Sequence, residues 1–590
     1  MYYLFSIISL LGFYSIAERL NKIFFPKKEN IVQIIFIFTL IFYFIYLVLS
    51  YLFILNISGL YFSILLNLFS ICAGAYFFIY KYKNNLFLLK KNLNNIFVIF
   101  FLISFLIISF LLPSDQDSLR YHLEIPKRII DNNFYQNSYF DYMLIGAIEF
   151  INLFGLYVSF ENTGSLLSYA YIIFIILSNK FFYENYKIGS EFFGSLIVIS
   201  SPYLIALIAS QKVYLVPCFI VSYSIAYLHI KKNIEFKELL IIITLNIFSF
   251  CLKITFYPYL LYIGIWYLFF WQSNIKNKIY LTLFSILIFT VSYFPLIFIK
   301  YKIYQDPLLP IVSLNENNQE WFNIFKIYLK EVQMDYTDSL DKLYQVLLVP
   351  LKIIFPLTLS DFFKTLGVGM LALYFLPLKK ISYLKYIIFL FILSFFVLPN
   401  YQTRWIFPLL LIIGIFYDKN KSNWIKNITY LQIIGSLLIT LMLSIFIITI
   451  NFFPNLKIAN NGFTLSKKIS DEINLITKGE KYFSDFDYFY YQKNNIVIYF
   501  PEIQKIFDPD LFNRNKDVRF FVTDDNKGDF KRYINNNTFD YPKNSSNNIF
   551  DNANLNCNNS KYTTIKTWIF NSRRFIFFNS PAKISLHKLC

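Results

Sequence analysis

Between residues 31 and 54 the chain reads IVQIIFIFTLIFYFIYLVLSYLFI, twenty-four positions with no charged side chain. A helix of that length rises about 36 Å, enough to cross a hydrocarbon core roughly 30 Å thick. Similar runs recur along most of the sequence. Fourteen spans are predicted, over about 2–17, 31–54, 57–80, 96–112, 164–179, 192–209, 213–230, 239–252, 254–272, 280–299, 363–378, 386–399, 404–418 and 428–452. With 57% hydrophobic and only 15% charged residues, the chain carries too little charge for a soluble protein of this size. Short alternating segments of the barrel kind are absent before residue 454. The expected fold is a polytopic α-helical membrane protein.

The net charge of +18 does not point to nucleic acid, because the lysines gather in short loops between spans. Arg19, Lys22, Lys27 and Lys28 follow the first span, Lys81, Lys83, Lys90 and Lys91 the third, and Lys231, Lys232 and Lys237 a later one. Positive-inside retention accounts for this pattern. All the basic loops fall on one side if residues 145–160 lie in the interface without crossing. The loops 113–163 and 300–362 and the tail from 454 then lie outside. This gives a membrane domain over 1–453 and an extracytoplasmic C-terminal domain over 454–590.

In the tail, Asn, Asp and Lys become common and apolar runs shrink to strand length. NNIVIYF (494–500) and VRFFVTDD (518–525) read as buried strands. TTIKTWIF and RRFIFFNS, joined through Asn571 and Ser572, read as a hairpin, so a small α/β domain is expected. Cys557 and Cys590 are the only cysteines there, and an oxidising compartment would favour a bridge between them. Cys72, Cys218 and Cys251 lie in apolar spans and fit no metal-binding spacing.

Directly after the span 96–112 comes LLPSDQDSLRYHLEIPKRII, with Asp115, Asp117, Arg120, His122 and Glu124 inside ten positions. Two readings fit. In the first, Ser114 and Asp117 form a capping-box-like start to an amphipathic helix that lies on the membrane, with Arg120, Lys127 and Arg128 reaching to headgroups. In the second, two carboxylates at the outer mouth of a span meet the headgroup of a lipid-borne substrate. There Asp115 or Asp117 would act as general base on an attacking hydroxyl, and nearby cations would stabilise a leaving phosphate. Crowding of the two like charges would raise one pKa and help that task.

The string SDQDSLRYHLEIPKRII resembles the Asp-X-Asp segment in the first large external loop of the GT-C class of integral-membrane glycosyltransferases, which includes the protein mannosyltransferase and aminoarabinose transferase groups. Three further segments resemble elements of that class in the same order: SPYLIALIAS (201–210), QDPLLPIV (305–312) and NYQTRWIFPLLLIIG (400–414). Together they cover roughly residues 96–415. The chain departs from the pattern at two places. Lys212 stands where a carboxylate commonly follows the Ser-Pro segment, and Gln305 and Asp306 replace a Gly-Asn pair. The resemblance implies transfer of a sugar from a polyprenyl-phosphate carrier to a lipid or glycan acceptor on the outer face of a bacterial cytoplasmic membrane. Single-step attack would invert the anomeric carbon.

The resemblance implies catalytic roles for Asp115 and Asp117. Arg120, Tyr121, His122, Lys212, Lys253 and Arg404 become candidates for binding substrate. Arg404, at the outer start of a span, is suited to gripping phosphate; a snorkelling role fits it equally. Glu149 is placed to line a sugar pocket, with an outward-facing charge as the competing reading; for Lys212 a plain loop lysine, for Lys253 a turn marker and for His122 a hydrogen-bonded surface residue compete. The aspartate pair also suits a divalent cation, although no further ligand is evident. A transporter or flippase of lipid-linked glycans, or a glycan polymerase, is the alternative function. The spans are almost free of charge, which favours an enzyme over an ion-coupled transporter.

Overall fold

A computed structural model describes most of residues 2–309, the longest interruptions being 81–92 and 111–117. Beyond that it describes chiefly 365–375, 406–417, 423–452 and five strands between 482 and 589. Two compact units divide the chain. One comprises residues 1–319 and 329–444, the other 320–328 and 445–590.

The first unit is helical. Its long helices are α1 (Tyr2–Phe24), α2 (Ile31–Ile54), α3 (Leu60–Tyr80) and α4 (Leu93–Ser109). The short α5 (Glu124–Ile130) and α6 (Ala147–Tyr157) come next, then α7 (Thr163–Tyr186), α8 (Phe193–Ile199), α9 (Pro202–Ile208), α10 (Leu215–Ile230) and α11 (Phe236–Leu252). After these run α12 (Tyr257–Phe269), α13 (Ile275–Tyr304), α14 (Phe407–Phe416) and α15 (Asn423–Phe452), of which residues 423–444 belong to this unit. Among the described residues four segments are long and apolar enough to cross a membrane: Ile31–Ile54, Thr163–Tyr186, Ile275–Tyr304 and Lys426–Ile445. The chain is therefore a helical membrane protein.

Burial sorts these spans. The apolar windows of α2 and α7 are mostly covered by other helices, while those of α13 and α15 are mostly open. α13 displays Ile279, Leu283, Ile286, Leu287 and Phe294 on its open side. So large an apolar face is unfavourable in water and suited to lipid. Where helices touch, small residues bring backbones together. A Cβ on Gly12 of α1 would meet Ser70 O of α3 at 1.7 Å, and one on Gly194 of α8 would meet Gly414 O of α14 at 1.9 Å.

The structure corrects several expectations. The predicted span 192–209 is two short helices parted at Ser200 and Ser201. Pro202 has no N–H to continue the ladder and disfavours helical backbone in the residue before it. The break is buried; Ser201 Oγ has no partner among the described residues, but backbone groups on both sides are met by distant segments. Ser200 O accepts from Gln432 Nε2 at 3.2 Å and from Ser436 Oγ at 2.6 Å, and Tyr203 N donates to Thr365 O at 3.1 Å. Within the predicted span 363–378, Val368–Phe375 is a 3₁₀ helix of eight residues. The span predicted over 386–399 lies outside the described residues. α6 has eleven residues, about 16 Å, and is too short to cross. It is buried from Ala147 to Gly155.

In the second unit, β1 (Tyr482–Ser484), β2 (Ile496–Ile498), β3 (Phe520–Asp524), β4 (Tyr562–Phe575) and β5 (Phe578–Leu589) form a sheet of order β2-β1-β3-β5-β4. β1 runs parallel to both β2 and β3, and β5 is antiparallel to β3 and β4. The two predicted strands and the hairpin are present, but the turn is not at Asn571 and Ser572. Those residues pair with Pro581 and Ser580 inside the ladder, which closes at Phe575 opposite Phe578. The β-branched and aromatic run before Asn571 and the Phe-Ile-Phe-Phe run after Arg574 both favour strand, and neither Asn571 nor Ser572 is followed by the glycine of a tight hairpin turn. Cys557 and Cys590 lie outside the described residues.

Candidate functional site

The last turn of α4 begins the site. Ser109 O accepts from Asn162 Nδ2 at 3.0 Å and from Ser165 Oγ at 2.9 Å, so the start of α7 satisfies a carbonyl that the helix end leaves bare. Asp115 and Asp117 then fall in 111–117, outside the described residues. The chain resumes as a π-helical turn, Ser118–His122, and passes into α5. π-Helical turns are rare and frequent at functional sites. Of Arg120 only the backbone is described.

This turn is packed inside the protein. Ser118 is fully buried, Tyr121 is 6% exposed and His122 1%. Arg128 does not reach for headgroups; its Nε donates to Glu124 Oε1 at 2.8 Å and its guanidinium to Tyr142 OH at 3.3 Å. A buried hydrogen-bond network holds the turn. Ser118 Oγ accepts from Gln211 N at 2.8 Å. Gln211 Oε1 in turn accepts from Gly164 N at 2.9 Å, and its Nε2 donates to Ser165 Oγ at 3.1 Å. Asn152 Nδ2 donates both to His122 O and to Gln211 O, each at 3.1 Å. Gln211 thus ties the motif turn to α6 and α7.

His122 and Glu149 depart most from expectation. Both are buried at 1% exposure, where a surface histidine and an outward-facing carboxylate had been competing readings. His122 Nδ1 lies 2.7 Å from Glu149 Oε1, and Glu149 Oε2 accepts from Gly146 N at 2.6 Å. Glu149 sits in the first turn of α6, where a carboxylate favours the N-terminal dipole. A carboxylate only accepts, so in the neutral ring the histidine proton is on Nδ1 and Nε2 is left with its lone pair. Nε2 is buried with no hydrogen-bond partner among the described residues, and so is Asn152 Oδ1. An unmet buried polar atom costs about 1–3 kcal/mol, so two in one cluster call for an explanation.

Lys253 ends α11 in an extended conformation, with its N–H bonded to Ser249 O at 3.0 Å. Its Nζ stands 5.7 Å from the centre of the Tyr121 ring and 5.4 Å from that of Tyr214. Two ring faces attract the ammonium without neutralising it. No acidic side chain pairs with Lys253 among the described residues. Gly146 allows the approach of α6 to this corner, since a Cβ there would meet Cys251 O and Leu252 O at 2.9 Å.

Lys212 is half-buried in the same turn as Gln211 and Tyr214. The next residue, Val213, is fully buried with φ 51°. A β-branched residue in the left-handed region is strained and persists only where its surroundings hold it, which is common at functional sites. The structure therefore brings Tyr121, His122, Lys212 and Lys253 into one neighbourhood. Arg404 lies outside the described residues. Asn152, Gln211 and Tyr214 were missed by the sequence reading. The available signal was an amide in each of two otherwise apolar stretches, with Asn152 one turn from Glu149 on the same helix face. No cluster of three His, Cys, Asp or Glu side chains suited to a metal lies among the described residues.

The long apolar helices among which this buried polar cluster is set mark an integral membrane protein. Residues 67–456 match the family model described as the DUF1420 N-terminal domain, and the chain belongs to that family. The matched region contains every site residue named above. No curated protein and no solved structure matches the chain.

Proposed function

We propose that this protein is a GT-C-type glycosyltransferase that moves a sugar from a polyprenyl-phosphate carrier to a lipid or glycan acceptor at the outer face of the cytoplasmic membrane. The observation that carries the reading is the placement of Lys253. Its ammonium, held by two tyrosine rings and paired with no carboxylate among the described residues, is the charge a phosphate needs. It adjoins the turn that directly follows the Asp-X-Asp sequence.

In this reaction the acceptor oxygen attacks the anomeric carbon as the bond to the phosphate oxygen breaks. The acceptor proton passes to Asp115 or Asp117, and the lipid phosphate leaves toward Lys253, with Arg404 and Arg120 as further candidate ligands. The configuration inverts because a single displacement occurs. Membranes containing the protein, supplied with polyprenyl-phosphate-linked glucose, mannose and aminoarabinose, should transfer one of these sugars to extracted envelope glycans or lipids. No transfer from any of them would count against the reading.

One observation favours transport as a second reading. The break between α8 and α9 at Ser200 and Ser201 is of the kind that forms substrate sites in transporters. Against it, Ser200 O is already held by Gln432 and Ser436. Movement of a lipid-linked glycan across vesicles with its glycosidic bond intact would support transport over transfer.

A further inference from the structure

The two unmet acceptors beside the Lys253 corner specify a ligand chemistry. His122 Nε2 and Asn152 Oδ1 both lack a hydrogen-bond partner among the described residues. The histidine ring cannot turn to hide its bare nitrogen without giving up the bond to Glu149 at 2.7 Å. The Asn152 amide cannot flip, because its Nδ2 already serves two carbonyls, His122 O and Gln211 O. With the ring in its neutral form, both orphan atoms are acceptors, and both need donors. The phosphodiester that joins a sugar to its lipid carries no proton at neutral pH, offers only acceptors and would be repelled. A hydroxyl-bearing ligand supplies what is missing.

We infer that His122, oriented by Glu149, accepts a hydrogen bond from a hydroxyl of the donor sugar, with Asn152 as a second acceptor, so that this pair selects the sugar. The inference rests on the glycosyltransferase reading and deepens it. The donor sugar is the hydroxyl-bearing group closest to hand, because it is joined directly to the phosphate assigned to Lys253. Lys253 packs on Tyr121, and His122 is the next residue. A cation and two acceptors therefore stand in one neighbourhood, matching the two halves of a sugar phosphate. Glu149 is a positioning residue, since it acts through the histidine. A purely structural role, a clasp between the motif turn and α6, explains the Nδ1 bond but leaves Nε2 unmet.

The test uses the full chain in lipid nanodiscs and the polyprenyl-phosphate sugar that the wild type turns over fastest, together with its monodeoxy analogues. One deoxy donor should lose about 5- to 150-fold in kcat/KM, the effect of one missing hydrogen bond at a buried acceptor. The variant is His122→Asn. Its amide NH₂ replaces Nδ1–H toward Glu149, and nothing stands where Nε2 was. In this variant the intact donor should fall to the level of the critical deoxy donor, and the two should become equivalent. A structural clasp would lower both donors together and leave the discrimination in place. Wild-type indifference to every deoxy position overturns the assignment with no need of a variant, as does His122→Asn that still discriminates. Absence of transfer from all intact donors overturns the glycosyltransferase reading itself, which is a separate outcome.

Discussion

Nδ1 of His122 lies 2.7 Å from Oε1 of Glu149, and both side chains are shut away from solvent. The bond fastens the motif turn to α6, and the second Glu149 oxygen holds Gly146 N at 2.6 Å. Glu149→Ala would strand two buried donors, each at a cost of about 1–3 kcal/mol. The thermal midpoint of the detergent-solubilised protein should fall clearly. Glu149→Gln keeps one carbonyl oxygen and should fall less. An unchanged midpoint in Glu149→Ala would mean that the pair does not hold the turn.

Lys253 gives a different signature. Its contacts to Tyr121 and Tyr214 contribute about 0.5–2 kcal/mol, so Lys253→Met should fold with modest loss. Binding of a polyprenyl-phosphate sugar should weaken far more, by about 10- to 150-fold for one lost charged hydrogen bond. Lys253→Arg should retain part of that affinity. Equal binding by the Met variant, measured by titration in nanodiscs, would remove Lys253 from the phosphate site.

Helix packing offers a paired test in two glycines. Gly194→Ala drives a methyl to 1.9 Å from Gly414 O, so α8 and α14 must part, at about 1–3 kcal/mol or more. Gly264, in α12, has nothing within 4 Å of its Cβ position. Gly264→Ala should be neutral or stabilising by about 0.4–1 kcal/mol. Folded yield and thermal midpoint should separate the two variants. Similar behaviour in both would contradict the close crossing.

The lysine distribution makes the topology testable as well. Single cysteines introduced at positions 340 and 83 of a cysteine-free chain should react with an impermeant reagent from outside and only from inside, respectively. Position 83 labelled from outside would invert the assignment and detach the proposed site from the outer face.

Much of the helical plan was legible because crossing a hydrocarbon core demands length and apolarity, and both are written locally. α2, α7 and α13 fall where the apolar runs do. The break at Ser200 was not read, although Pro202 signalled it, because the run stays apolar across it. Its stability comes from Gln432 and Ser436, more than 230 residues away. The site was half legible. Charge density and the Asp-X-Asp spacing pointed to residues 115–122, but no local pattern tells a buried histidine from an exposed one. His122 is decided by Glu149, and Glu149 by the packing of α6 against α5 and α11. Gln211, which links three segments, is a single amide with no periodic signature.

The central claim is that the segment from Asp115 to His122 performs sugar transfer. The most direct measurement is the rate of transfer from the preferred polyprenyl-phosphate sugar by wild type, Asp115→Asn and Asp117→Asn, at matched amounts of folded protein. A carboxylate whose role is only to favour a helix N-terminus contributes about 0.3–1 kcal/mol, so on the capping reading both variants should fold. Loss of the general base should slow transfer about 10²–10⁴-fold in at least one of them. Wild-type rates in both variants would contradict the account.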